Sequence, residues 1–281
     1  MPTGWRAYPF PLRLLVFLGI LALAWLPFVG LGWWLFPQGR DYLWLPLYGL
    51  LLGWLWLWGE WRGSQGFATY GLDRSWACRG GILQGLVTGC GGLLLLFVVE
   101  GWFGWLAWRS VGWGSLLGYG LLGLLLGLAV ALVEELFFRG WMLEEMALDY
   151  GLAAAGWGSS LLFAVAHFLK PLEEILATWP QFPGLWLMGL LLVQARLWTQ
   201  RRLGLSLGLH AGWVWGIAWV NNVGWFDYTG RAPEWVTGIG ENPLAGLMGV
   251  LSLGVTFVAL NWLSQAHWLP VDVVKNEELE A

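Results

Sequence analysis

Apolar residues fill the chain in long runs that short polar segments separate. A transmembrane α-helix needs roughly 20 such residues to cross about 30 Å of hydrocarbon, and eight runs are candidates. They cover residues 12–36, 43–61, 82–108, 116–138, 152–168, 185–198, 203–220 and 244–263. The fifth to seventh are short and interrupted by polar residues, which is tolerated where a span faces protein or a water-filled cavity. The pattern predicts an all-α, polytopic membrane bundle of about eight transmembrane helices.

Composition supports this membrane assignment and excludes other classes. Hydrophobic residues make up 58% and charged residues only 11% of the 281 positions, against roughly 25% charged residues in soluble domains. The net charge of −4 gives no basic field for nucleic acid. Cys78 and Cys90 lie in unlike settings, so neither a disulfide framework nor a zinc site is indicated. The first run is longer than a signal-peptide core and lacks a small-residue cleavage site, so we expect a retained span.

The distribution of basic residues predicts the orientation of the bundle. If the N-terminus is inside, nine basic residues fall on the inner side, namely Arg6, Arg13, Arg62, Arg74, Arg79, Arg196, Arg201, Arg202 and Lys275. Four fall outside, namely Arg40, Arg109, Lys170 and Arg231. The positive-inside rule then places both termini inside. It also places the polar stretch Ser64 to Gly80 along the inner interface, and the acidic loop Asn221 to Asn242 outside.

A few ionisable residues remain inside the predicted spans, where each costs at least about 2.5 to 3.5 kcal/mol on insertion scales. They are Glu100, Glu134, Glu135, Arg139, His167 and His210. Glu135 and Arg139 are spaced to form a structural ion pair on one helix face. Glu134 is rotated by about 100° and needs another partner. A carboxylate near a histidine in an apolar site can act as a general base on water, although each histidine taken alone fits a structural role.

The predicted spans place these groups at different depths. If the fourth span ends at Phe138, Glu134 lies slightly more than one helical turn from the inner end. His167 then falls near the opposite end of the fifth span. The spans as predicted do not bring the two residues together.

Three motifs carry a family resemblance. Glu134-Glu135-x-x-x-Arg139, Phe163-x-x-x-His167 and His210 in LGLHAGWVWG resemble the signature of the CAAX-protease and bacteriocin-processing (ABI) family. This family of intramembrane proteases includes the Rce1-type prenyl-protein endopeptidase. The resemblance covers about residues 116–263, including ENPLAGLMG at 241–249, which is similar to the start of the family's final helix. Residues 1–110 would add N-terminal transmembrane helices within one integral membrane domain, 1–281.

The resemblance implies a role for each site residue. Glu134 would activate water for attack on a peptide carbonyl, and His167 would share that water. Phe163 would pack one turn below His167, while Glu135 and Arg139 would orient the site. His210 would stabilise the oxyanion. The resemblance leaves a divalent metal open, with Glu134, His167 and His210 as candidate ligands, but we expect metal-free activation of water.

One position departs from the family pattern. The last motif is usually His-x-x-x-Asn or His-x-x-x-Asp, and here the fourth residue after His210 is Val214. Loss of an oxyanion donor typically removes about 2.7 to 4 kcal/mol of transition-state stabilisation. A catalytically weak family member that acts as a membrane scaffold or assembly factor for another complex is therefore the alternative to an active protease.

A pigment-binding helix is a further alternative. Arg139 follows Glu134 at the spacing of the Glu-x-x-His/Asn-x-Arg stretch in light-harvesting helices, and the chain contains 26 tryptophans. Phe137 occupies the ligand position and cannot coordinate magnesium, although His167, His210 or His267 could ligate a ring elsewhere. The aromatic His210 motif resembles members from photosynthetic lineages, so we expect a plasma or thylakoid membrane location. The expected partners are lipid, a peptide or membrane-protein substrate, and in the scaffold case a membrane protein complex.

Overall fold

A computed structural model describes residues 5–35, 44–61, 66–240 and 242–265. The predictions that concern Arg40, Arg62, Glu241, His267, Lys275 and the side chain of Arg6 lie outside the described residues.

The described residues form a helix bundle with one short β-ribbon. The helices are α1 (Phe10–Leu35), α2 (Trp44–Trp61), α3 (Trp76–Trp102), α4 (Trp113–Glu134), α5 (Leu143–Ala166), α6 (Leu172–Thr178), α7 (Phe182–Trp198), α8 (Gly204–Val223), α9 (Glu234–Thr237) and α10 (Leu247–Gln265). A π-helix, Glu135–Met142, joins α4 to α5. Strands β1 (Leu106–Trp108) and β2 (Phe226–Tyr228) pair in antiparallel orientation. The predicted all-α membrane bundle is confirmed.

Five helical segments of the described chain are long and apolar enough to cross a membrane. They are Phe10–Leu35, Trp76–Trp102, Trp113–Ala166, Leu172–Trp198 and Leu247–Gln265. The protein is a multi-pass integral membrane protein. The predicted number of eight spans is not confirmed, because α2 and α8, over their described residues, are not among the helices that are both long and apolar enough to cross a membrane. A helix packed among other helices can be less apolar than one that faces lipid.

Close packing between α3 and α8 forms the centre of the bundle. Each helix presents a stripe of glycines at every fourth residue, Gly81, Gly85 and Gly89 on α3 against Gly204, Gly208 and Gly212 on α8. A Cβ at Gly208 would lie 2.2 Å from the carbonyl oxygen of Ile82, and one at Gly85 would lie 2.5 Å from that of Leu205. Small residues let transmembrane helix backbones approach in this way. The stripe therefore fixes the position of α8 and of His210 on it.

The fourth and fifth spans do not end where the apolar pattern suggested. The predicted end at Phe138 is wrong, because helical structure continues through the π-helix and into α5. The direction changes instead at Gly151, whose φ of 76° is left-handed and readily adopted only by glycine. The third span was also predicted too long. Helix α3 ends at Trp102, Gly104 has a φ of 72°, and residues 106–108 form β1.

The two N-terminal helices are anchored to the rest of the bundle by a buried cation and by aromatic rings. Arg13 on α1 is fully buried, and its Nε lies 2.9 Å from the Glu145 carboxylate, while Nη2 lies 3.1 Å from Asp149. The ring of Phe17 stacks on that of Trp141 in the π-helix with centroids 4.0 Å apart. These contacts hold α1 and α2 against the segment that carries the glutamates.

Candidate active site

A cavity of about 150 Å³ lies between α4, α7 and α8 and is lined by three of the six predicted site residues. Its lining combines polar groups with apolar side chains, namely Val130, Glu134, His167, Gly184, Leu185, Met188, His210, Trp213, Val214, Ile217, Asn242 and Leu244. The structure brings Glu134, His167 and His210 together in this cavity. Glu100 does not line this cavity and lies near the C-terminal end of α3.

The helical hairpin explains how Glu134 and His167 meet. Glu134 precedes the bend at Gly151 by 17 residues and His167 follows it by 16. At 1.5 Å per residue, both lie about 25 Å along their helical arms from the bend. The conflict in depth arose from the assumed helix end at Phe138, and the longer fourth helix removes it.

The two carboxylate oxygens of Glu134 have different surroundings. Oε1 accepts a hydrogen bond from the Tyr48 hydroxyl at 3.0 Å. Oε2 lies 3.7 Å from His210 Nε2, which is too long for a direct hydrogen bond. Among the described residues, Oε2 has no hydrogen-bond partner. One oxygen is therefore held in place by α2, while the other is buried beside His210 without a hydrogen bond among the described residues.

The neighbouring Glu135 is sealed inside protein. Its Oε1 lies 3.0 Å from Arg139 Nη1 and 2.9 Å from His210 Nδ1, and both Glu135 and Arg139 side chains are fully buried. A buried charge is tolerated when it is paired and hydrogen-bonded in this way. The predicted pairing of Glu135 with Arg139 is present. Because a carboxylate only accepts, His210 Nδ1 donates to it, and this turns Nε2 of the ring toward Glu134.

Arg139 links this pair to the rest of the core. Its Nη2 donates to the Gly189 carbonyl on α7 at 3.3 Å. Its guanidinium carbon lies 4.1 Å from the centre of the Phe163 ring, within the range of a cation–π contact. Phe163 in turn meets the rings of His167 and His210 edge-on, at 4.6 and 5.8 Å. Phe163 therefore separates the buried guanidinium from the two imidazoles.

Arg196 entered the sequence analysis only as one of the basic residues on the inner side. It lies in the last turn of α7 and is only 2% exposed. Its guanidinium donates to the carbonyl oxygens of Arg139 and Tyr70 and pairs with Glu144 at 2.9 Å. The Arg139 carbonyl of the π-helix thus finds a donor on α7. A charge count along the chain could not separate this buried arginine from its exposed neighbour Arg201.

The tautomer of His167 follows from its partner. Nδ1 lies 2.8 Å from the Phe163 carbonyl oxygen, which can only accept, so Nδ1 carries the hydrogen. In the neutral ring, Nε2 then has a free lone pair. His167 is the exposed member of the three predicted residues.

Two polar residues of the site were missed from the sequence. Tyr48 lies on α2, and Asn242 comes from the turn that precedes α10. Only ionisable residues inside spans were considered, so a hydroxyl in the second run and an amide in a predicted outer loop were passed over. The signal for Tyr48 was its position as a polar side chain in an apolar run.

The described side chains do not form a metal site. No group of three His, Cys, Asp or Glu residues in the described ranges has an arrangement suited to a metal ion. Glu134, His167 and His210 share the cavity, but Glu134 and His210 are also engaged by Tyr48 and Glu135. The candidate ligand set therefore does not fit as it stands, and we derive no step through a metal.

The position that departs from the family pattern also lies at the cavity. Val214 lines the wall without a donor, next to Trp213.

The ligand position of the pigment-binding alternative is Phe137. Its ring stacks on that of Trp141 with centroids 5.7 Å apart.

Comparison with known families agrees with the motifs. Residues 117–216 match the family model described as type II CAAX prenyl endopeptidase Rce1-like. This match covers the π-helix, Phe163, His167 and His210. The resemblance of this segment to the CAAX protease family is thereby confirmed. No curated protein and no solved structure matches the chain.

Proposed function

We propose that the protein is an intramembrane endopeptidase that hydrolyses a peptide bond with water activated by Glu134. The observation that carries this proposal is the unequal environment of the two Glu134 oxygens. Tyr48 fixes one oxygen, and the other lies 3.7 Å from His210 Nε2 without a hydrogen bond among the described residues. Glu134 and His210 both line the cavity, so a water that enters between them would meet the geometric requirement for a general base.

Each residue has a role that its hydrogen bonds support. Glu134 takes a proton from water, and the resulting hydroxide attacks the carbonyl carbon. His167 Nε2 accepts a hydrogen bond from the remaining O–H of this water, because Nδ1 is committed to the Phe163 carbonyl; that O–H bond stays intact. His210, held by Glu135 at Nδ1, donates from Nε2 to the oxyanion when its ring is doubly protonated. Collapse breaks the C–N bond, and the leaving amine receives the proton from Glu134.

The same cavity gives one reason to consider a scaffold instead. Val214 stands where the family usually has Asn or Asp and offers no donor. A catalytically weak member would hold another membrane protein through its lipid-facing surface, where Trp34, Trp76, Trp102 and Trp113 are largely exposed. Such a function would survive Glu134→Gln and His210→Ala, and copurification of the partner would be unchanged in both variants.

The proposal is tested with purified protein in liposomes. Two fluorogenic peptides serve as probes, one ending in a farnesylated Cys-Ala-Ala-X sequence and one with the same sequence without the lipid. We expect cleavage of at least one probe, and Glu134→Gln should lower the rate by about 10²- to 10⁴-fold, because the amide cannot accept the water proton. Glu173→Gln, at an exposed site on α6, is the control and should retain the wild-type rate.

The two functions give opposite results in this assay. Equal cleavage by wild type and Glu134→Gln would contradict a role for Glu134 as base. Absence of cleavage of either probe, together with a partner complex that copurifies equally with wild type and Glu134→Gln, would favour the scaffold.

A further inference from the structure

One polar side chain of the cavity comes from the turn that precedes α10. Asn242 immediately precedes the 3₁₀ turn Pro243–Ala245, which leads into α10. It lines the same cavity as Glu134, His167, His210 and Val214. The residue lies outside the segment matched by the family model, which ends at residue 216.

The hydrogen bonds of Asn242 determine which way its amide points. Its backbone N–H donates to the Ile239 carbonyl at 3.2 Å, and its carbonyl accepts from Ala245 N–H at 3.0 Å. The side-chain Oδ1 accepts from Leu244 N–H at 3.1 Å. A flipped amide would place two donors face to face, so Oδ1 must face Leu244 and the NH₂ group must face away from it. Within the described ranges, no hydrogen bond is found for this NH₂ group.

The segment that carries Asn242 is held by close backbone contacts. A Cβ at Gly184 on α7 would lie 2.8 Å from the Leu244 carbonyl oxygen, and one at Gly249 would lie 2.1 Å from that of Pro243. Gln181 Nε2 donates to the Ile239 carbonyl at 2.7 Å. These contacts leave little room for the turn to shift. A donor on such a segment is preorganised, which is the property that makes oxyanion donors effective.

The proposed hydrolysis requires a donor that α8 does not supply. Attack of water forms an O–C bond and moves the carbonyl electron pair onto oxygen, where hydrogen-bond donors stabilise the negative charge. His210 can supply one donor, and Val214 can supply none.

We propose that the Asn242 Nδ2–H donates a hydrogen bond to the oxyanion, in place of the side chain that the family carries four residues after its last histidine. This assignment rests on the proposed protease function. Asn242 transfers no proton, and its bond to the oxygen is released when the C–N bond breaks. The donor has thus moved from α8 to the turn before α10.

Two substitutions separate donation from folding. Asn242→Asp keeps an acceptor for Leu244 N–H but loses the amide donor, and Asn242→Ala removes the donor without adding charge. In the farnesylated-peptide assay, both should lower kcat by about 10²- to 10³-fold, while KM and the Tm of Asn242→Asp stay near wild type. Asn222→Asp, at an exposed position near the end of α8, is the matched control and should retain full activity.

Moving the donor back to α8 gives a rescue test. Val214→Asn in the Asn242→Ala background should recover at least about 10-fold in kcat, because either position can present an amide to the cavity. Full kcat in both Asn242 variants would overturn the assignment. A loss in Trp213→Phe with none in Asn242→Asp would also overturn it and would point to the indole N–H.

A binding measurement tests the Asn242 assignment even if peptide cleavage is too slow to measure. A phosphinate copy of the farnesylated peptide carries a tetrahedral anion at the scissile position, and such analogues bind more tightly than substrates. Asn242→Ala should weaken phosphinate binding by about 100-fold and leave binding of the intact peptide to Glu134→Gln unchanged. If wild type neither cleaves the peptide nor binds the phosphinate, both proposals fail. Cleavage that requires Glu134 but not Asn242 overturns only the Asn242 assignment.

Discussion

Glu134 and Glu135 are adjacent in sequence but belong to two regions with different physical properties. The first region, the sealed side, is the buried group of Glu135, Arg139, Phe163 and Arg196. The second region, the cavity side, consists of Glu134, His167 and Asn242. On the sealed side, the Glu135 and Arg139 charges are paired and fully buried. On the cavity side, Glu134 keeps an oxygen without a hydrogen bond among the described residues. A rotation of about 100° between neighbouring helical residues directs the two side chains into these different environments.

His210 connects the two regions. Its Nδ1 lies 2.9 Å from Glu135 on the sealed side, and its Nε2 lies 3.7 Å from Glu134 on the cavity side. The sealed side therefore orients an imidazole whose other nitrogen faces the cavity. The comparison supports the proposal that the more deeply buried Glu135 has a structural role and that Glu134, which has fewer partners, is the reactive carboxylate.

Removing the buried cation should have the largest effect on stability. Arg139→Met leaves Glu135 without its 3.0 Å partner, and breaking a buried pair from one side costs about 3 to 5 kcal/mol. We expect a large drop in Tm and in yield of folded protein. Arg109→Gln is the control, because its pair with Asp227 is exposed and such pairs contribute about 0 to 1 kcal/mol. Equal losses of Tm in both variants would contradict the claim that the buried Glu135–Arg139 pair contributes more to stability than an exposed pair.

The position of His210 depends on the glycine stripe of α8. Gly208→Ala places a Cβ 2.2 Å from the Ile82 carbonyl, and overpacking of this kind costs about 1 to 3 kcal/mol. Gly91→Ala on α3 is the matched control, because nothing lies within 4 Å of its Cβ position. Thermal unfolding in detergent measures the difference, and a Gly208→Ala protein as stable as Gly91→Ala would refute the close helix contact.

The Tyr48 contact tests the cavity side alone. Tyr48→Phe removes the hydrogen bond to Glu134 Oε1, and hydrogen bonds to charged groups contribute about 1.5 to 3 kcal/mol. We expect the rate of peptide cleavage to fall by about 10-fold or more while the Tm changes little. Tyr119→Phe, at a position 41% exposed on α4, provides the control. An unchanged rate in Tyr48→Phe would mean that Glu134 does not need this anchor.

The smallest expected effect lies at Asp73, in the segment just before α3 and outside the apolar helices. Partial burial raises the pKa of Asp73, but hydrogen bonds from Ser75 and the charge of Arg202 outweigh it, so the net shift is downward. A lowered pKa stabilises the fold above the unfolded-state pKa, and this stability disappears as pH falls through the folded-state value. Asp73→Asn should lower the free energy of unfolding at neutral pH by less than about 1 kcal/mol, and Tm should fall only slightly. A difference that persists at pH 2 would contradict this origin.

The features that could be predicted from sequence are those set by local spacing. The pairing of Glu135 with Arg139 follows from their spacing of four residues on a helix. The common depth of Glu134 and His167 could not be predicted, because apolar runs do not mark a helix that continues through a π-helix to a bend at Gly151. Tyr48 reaches Glu134, 86 residues away in sequence, and Asn242 reaches the cavity only through tertiary contacts. Predicted membrane orientation and the division at residue 110 remain predictions.

A crossed measurement on the two adjacent glutamates tests the central claim most directly. Glu134→Gln and Glu135→Gln are each assayed for peptide cleavage and for Tm under one set of conditions. Glu134→Gln should lose about 10²- to 10⁴-fold in rate and keep a Tm close to wild type. Glu135→Gln should lower Tm sharply, because Arg139 loses its buried counter-charge at a cost of about 3 to 5 kcal/mol. A stable Glu135→Gln protein, or a Glu134→Gln protein that cleaves at the wild-type rate, would contradict the division between the sealed side and the cavity side.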